Sequence, residues 1–212
     1  MKRATRRRAV YGALAASIAA TVLIPSLAPA TVEEQRARLP PPAPPDTCRN
    51  PVEGVWRSLR WYPGNGAWYQ FTLEIHQRGD DLFGTIEAHS WDTPPTQMEP
   101  GVCRAGLNHW VVVEEAAGHM TDLRITFGGT RWAVANAFCG TRPYAYNLDN
   151  FRGQIDTNIQ EFQSVNNDGG AQIDEPTVFR RIRCFEPRTP PHPYVAPPTF
   201  QPPSRKRWGC GR

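Results

Sequence analysis

The sequence predicts an all-β protein: a single antiparallel β-barrel of about eight strands, with a β-sandwich as the alternative, carried between disordered proline-rich arms. Three observations predict it. Two neighbouring runs, Tyr69–Ile75 and Leu82–Ala88, alternate apolar and polar residues with a period of two. Short β-rich runs separated by turn-forming residues continue from there to Cys184. Proline is concentrated at the flanks, with six of the 22 prolines in 40–51 and eight in 187–203.

In chain order, residues 1–30 read as a secretory signal. Lys2, Arg3, Arg6, Arg7 and Arg8 form a basic start, Ala9–Leu27 an apolar stretch, and Ala28-Pro29-Ala30 a small-x-small exit, so Thr31 is the expected mature start. Thr5-Arg6-Arg7-Arg8 leaves open whether export follows the general or the twin-arginine route. An uncleaved anchor is the alternative, and no later stretch is apolar and long enough to span a bilayer. The signal also carries much of the basic charge. The whole chain has 24 basic and 20 acidic residues; after Ala30 the count is 19 to 20, and over 31–204 it is 15 to 20. A mildly acidic domain argues against nucleic acid as a partner.

Residues 31–47 read as a proline-rich linker, 48–186 as the barrel domain, and 187–212 as a proline-rich, basic tail ending near Arg205-Lys206-Arg207. Such arms favour extended polyproline conformations and bury little apolar surface, so they serve as spacers or as docking strips for a partner chain. Five cysteines follow the signal and contain no C-x-x-C. In an oxidising compartment they pair. Cys48 with Cys184, bracketing the domain, and Cys103 with Cys139 inside it is the expected arrangement, although spacing alone leaves other connectivities open. Cys210 is then a free thiol or an intermolecular link.

Within the domain the expected strands are Val55–Tyr62, the two alternating runs, Trp110–Glu115, Leu123–Phe127, Arg131–Phe138, Phe151–Thr157 and Thr177–Cys184. Ala117-Gly118-His119 and Gly128-Gly129 read as turns, and Ile159–Val165 as a short turn of helix. No other stretch after the signal carries a helical stripe. Around a Gly79-Asp80 tip, Ile75 falls opposite Gly84, Leu73 opposite Ile86 and Phe71 opposite Ala88. That register puts the apolar sets on one face, and a one-residue slip would scatter them. It also sets Trp68 opposite Trp91, away from that face, either as a stacking surface or covered by a second layer or the proline-rich arms.

The opening Gly54-Val55-Trp56, the Phe83-Gly84-Thr85-Ile86 and Phe151-Arg152-Gly153-Gln154-Ile155 echoes, and the closing Phe179-Arg180-Arg181-Ile182-Arg183 resemble the lipocalin or calycin barrels, with avidin-like barrels as the second choice. The resemblance implies that Trp56 closes one end of the barrel and that Arg180, Arg181 or Arg183 packs across it. The other motifs of either family are missing, so a ligand does not follow from the likeness.

Motifs for chemistry are few. The five histidines lack H-x-H and H-E-x-x-H spacing and suggest no metal. Ser164–Glu175 matches a calcium loop loosely, and its Asn167-Asp168-Gly169 is equally hairpin-turn chemistry. No nucleophile motif and no cofactor motif occurs, although Glu74, Glu87, Asp92, Glu114 and Asp156 are carboxylates that a fold could bring together. The expectation is a non-catalytic, exported (periplasmic or extracellular) binding module for a small apolar ligand or an envelope glycan. Trp56, Trp68, Tyr69, Phe71 and Trp91 are its candidate binding residues. A structural component tethered by its arms and a hydrolase of unrecognised type are the alternatives.

Overall fold

The computed structural model describes residues 31–166, 168 and 176–185. The signal segment, Cys210, His192, the C-terminal arm and most of the Ser164–Glu175 loop lie outside them. Eight strands run β1 (Gly54–Tyr62), β2 (Ala67–Arg78), β3 (Asp81–Trp91), β4 (His109–Thr121), β5 (Arg124–Ala137), β6 (Asn150–Asp156), β7 (Glu161–Asn166) and β8 (Pro176–Cys184). Each pairs antiparallel with its chain neighbours, and β8 returns to β1, closing the barrel. Closure rules out the sandwich and leaves no sheet edge along the ring.

The β2–β3 hairpin has the expected register, including Leu73 opposite Ile86 and Trp68 opposite Trp91. Its apolar face points inward and joins alternate residues of every other strand. Trp56, Leu73 and Ile75 fill the closed end, and Phe71, Phe127, Phe151, Phe162 and Phe179 fill the middle, each of them buried. Phe71 meets Phe151 edge-on at 5.1 Å, and Phe162 stacks on Phe179 at 4.9 Å. A packed aromatic plug therefore occupies the space that a deep apolar ligand would need.

Four element assignments are corrected. Ala117-Gly118-His119 is not a turn; β4 runs through it. A Cβ at Gly118 would sit 2.0 Å from the Thr126 carbonyl oxygen, so glycine here lets two strands approach rather than bend. Gly128-Gly129 is not a turn either. Leu123–Phe127 and Arg131–Phe138 belong to one strand, β5, whose register against β4 shifts near Glu115 and Ala116. Thr130 is the extra residue of that bulge, which restores Trp132 to the inward phase opposite Glu114. Ile159–Val165 is not helical: Glu161–Asn166 is β7, paired on both sides. The count of eight is thus reached with one predicted pair merged and one strand unforeseen.

The fourth correction concerns the N-terminal arm. Residues expected to be a spacer include helix α1 (Val32–Arg38), opened by a capping box between Thr31 and Glu34. Gln35 is buried; its Nε2 donates to the Pro176 carbonyl at 2.9 Å and its Oε1 accepts the Val178 N–H at 3.0 Å. Arg36 and Arg180 both ion-pair with the buried Glu161, and Arg180 also donates to the Leu39 and Pro40 carbonyls. The Ala43 N–H bonds the Arg181 carbonyl at 2.8 Å. The arm is a strap along β8, because β8 carries apolar Val178 on its outer side and needs a cover. Disulfides join Cys48 to Cys184 and Cys103 to Cys139, as expected from the sequence.

Candidate functional site

The two ends of the barrel differ in chemistry. At the closed end, the Arg181 guanidinium lies 5.1 Å from the Trp56 ring, held by Gln160 Oε1 at 2.6 Å and the Asn50 carbonyl at 2.8 Å. Trp56 donates its indole N–H to the Val52 carbonyl at 2.8 Å. Trp56 is fully buried there, packed beneath the Arg181 guanidinium.

Trp68 and Trp91 stack at 6.4 Å on the outside of the barrel, yet both are buried. Arg38 covers Trp68 at 5.1 Å, and the Trp61 and Trp68 indoles donate to the Thr93 and Pro94 carbonyls. The pair lies under the strap and the β3–β4 loop, so of the two readings it is the covered one, beneath the N-terminal arm, that holds.

The opposite end is polar and aromatic. Tyr62 and Arg60 from β1, Tyr69 from β2, Trp110 and Glu114 from β4, and Trp132 from β5 meet Tyr146 and Asp149 of the β5–β6 connection. Ring contacts link them: Tyr62 to Tyr69 at 5.0 Å, Tyr69 to Trp110 at 5.9 Å, Trp110 to Tyr146 at 5.8 Å and Trp132 to Tyr146 at 5.9 Å. Arg60 lies 4.4 Å over the Tyr62 ring, and burial pushes that phenol up to about 12. Tyr146 donates its hydroxyl to Asp149 at 2.6 Å, which together with burial holds the phenol well above its ordinary value.

Glu114 lies at the centre of this end. The inward phase of β4, Trp110, Val112, Glu114 and Ala116, places a carboxyl where hydrocarbon is the rule. Its Oε1 accepts the Asp149 N–H at 3.3 Å, while Oε2 is buried against Gly129 without a hydrogen-bond partner. Burial, with the Asp149 carboxylate beside it, pushes Glu114 up to about 8. Beside this pair opens a cleft of about 740 Å³, lined by Trp132, Tyr146, Asn147, Asp149, Asn150 and Arg131 among others. Aromatic faces next to amides and carboxylates suit a ring-bearing, hydroxylated ligand.

Of the candidate binding residues, Tyr69 belongs to this end and Phe71 forms its floor; Trp56, Trp68 and Trp91 lie elsewhere. Among the candidate carboxylates only Glu114 turns inward. Glu74 bonds His76, Asp92 bonds Asn108, and Asp156 caps the Asn158 N–H. Tyr62, Trp110, Trp132, Tyr146 and Asp149 were unforeseen. Extending the β4 alternation past Val112 would have exposed Glu114 as an interior charge, whereas Tyr146 and Asp149 sit in a loop with no periodic signal.

The fold also joins two histidines. His89 Nε2 and His109 Nε2 stand 3.1 Å apart on the outer face of β3 and β4, with Phe138 stacked on His109. Desolvation, with His109 alongside, brings His89 down to about 4. His109 also adjoins Cys103 and Cys139, whose sulfurs are joined to each other and so are not thiolate ligands. Among the described residues no helix is long and apolar enough to cross a membrane. Comparison with protein-family models, curated proteins and solved structures finds no match for the chain.

Proposed function

We propose that the protein is an exported, non-catalytic binding barrel whose ligand, an envelope glycan, seats in the cleft at the polar end. One observation carries the reading: the interior is plugged by stacked phenylalanines while an aromatic and amide-lined cleft opens at the rim. This favours the glycan over the small apolar ligand, because sugar rings stack on aromatic faces and use planar amides and carboxylates for their hydroxyls. The disulfides support maturation in an oxidising compartment.

Glu114 Oε1 accepts the backbone N–H of Asp149, and the Glu114 side chain is fully buried and does not line the cleft. A general acid or base must come within hydrogen-bond reach of the bond it acts on, so this closed-off carboxyl supports binding over hydrolysis. The N-terminal arm is engaged with its own barrel through Gln35 and Arg36, which weighs against its use as a tether.

Titration of soluble envelope-glycan fragments into the mature protein, followed by NMR, tests the proposal. Resonances of Trp132 and Tyr146 are expected to shift, and Trp132→Ala to weaken binding roughly tenfold or more. Absence of binding, or binding indifferent to Trp132→Ala, overturns it.

A further inference from the structure

We propose that the rim cleft is the first of two joined subsites, and that the protein grips an internal stretch of a linear glycan chain. The chain runs from the cleft down the outer wall of β5 and β6 to Arg152. This rests on the glycan reading and narrows it to a polymer.

A second hollow, of about 340 Å³, lies on the outside of the barrel across β4, β5 and β6. It shares Gly129, Thr130 and Asn150 with the rim cleft, so the two are adjoining parts of one groove. Strand pairing explains where the groove lies. β6 pairs with β5 only from Arg124 to Gly128, and beyond Gly128 the strands part, leaving the gap in which the rim cleft opens. Below that point Ala117, Gly128 and Asn150 stand in one outward-facing row across the three strands. They alternate with the buried Ala116, Phe127 and Phe151. In the next row Thr126 lies opposite Arg152, and both are exposed at the far end of the groove. Among the described residues no carboxylate or carbonyl holds the Arg152 guanidinium, whose donors therefore face solvent beside the hollow.

The order of chemistry along the groove suits a sugar chain. Trp132 and Tyr146 supply aromatic surface at the rim, the Asn150 amide lies at the junction, and the Thr126 hydroxyl and Arg152 guanidinium lie at the far end. Sugar rings stack on the first and direct their hydroxyls to the others. Both hollows are open to solvent, which fits a polymer gripped along its length. Trp132 and Thr126 are six positions apart on β5. At the rise of a strand that is about 20 Å, which a disaccharide is too short to span and a hexasaccharide is not.

The test titrates β-1,4-linked N-acetylglucosamine oligomers of two and of six units into the mature protein, with affinity read by calorimetry and contacts by NMR. Overlapping positions alone favour the six-unit chain about fivefold, and an occupied second hollow adds roughly tenfold, so a ratio of about fiftyfold is expected. Resonances of Trp132 and Tyr146 should shift with both oligomers, and those of Thr126, Gly128 and Arg152 with the longer one alone. Arg152→Ala should lower the affinity for the six-unit chain roughly fivefold or more. The length comparison on the wild-type protein stands whether or not that variant folds. A ratio no greater than the counting factor, shifts confined to the rim, or an affinity indifferent to Arg152→Ala overturns the inference while the glycan reading survives. If neither oligomer binds, both fall.

Discussion

Glu114 shows how one side chain reports on a site. Its carboxyl occupies an interior strand position and is held neutral there by burial and by Asp149. Above about pH 4.5 the unfolded chain gives up this proton while the folded protein retains it, so stability declines as pH rises from there towards 8. Glu114→Gln removes that loss. The variant is expected to match the wild type near pH 4.5 and to exceed its Tm by roughly 3 °C or more at pH 8. Thermal unfolding across that range checks it, and a variant that loses ground as pH rises refutes it. Residue identity alone did not reveal this position: glutamate is ordinary on a solvated strand face, and only the phase of β4 puts it inside. Trp68 and Trp91 show the converse. Their register was legible from alternation, but alternation left open whether they are covered, because atoms that cover Trp68 come from Arg38 and Pro94.

At the scale of elements, strands with one apolar face announced themselves, and those interrupted by glycine did not. Gly118 and Gly128-Gly129 read locally as turns because glycine usually marks them, yet here they serve close approach and a bulge within β4 and β5. β7 went unseen because Glu161, Gln163 and Ser164 mask its period. Helix α1 was hidden by its proline-rich surroundings, although Thr31 and Glu34 carry the capping signature. The strap formed by α1 is integral to the barrel. Gln35→Ala leaves the Val178 N–H buried without its acceptor, and is expected to cost about 1–3 kcal/mol. Urea denaturation should show this loss; a change near zero would mean that the strap merely rests on β8.

Across the whole molecule, the two disulfides have separate tasks. Cys48–Cys184 ties the segment before β1 to the end of β8, at the closed end of the barrel. Cys103–Cys139 joins the β3–β4 loop to the start of the connection that carries Tyr146 and Asp149. Replacing Cys48 and Cys184 by serine is expected to lower stability by about 5 kcal/mol, from the entropy of a long closed loop, with affinity at the rim kept. Replacing Cys103 and Cys139 should lower stability by about 4 kcal/mol and also weaken glycan binding. Denaturant curves paired with the NMR titration separate the two effects, and equal losses of affinity would contradict this division.

Local alternation was enough to specify an inward-facing antiparallel sheet and the register of the β2–β3 hairpin, because side chains on a strand point to opposite faces by geometry and a wrong register would expose hydrocarbon. Which end is plugged, which carboxyl is interior and which loop completes the cleft were decided only by closure of the barrel. Glu114 and Asp149 lie 35 residues apart, and no period or propensity links residues that meet solely because a sheet curves until its last strand finds its first.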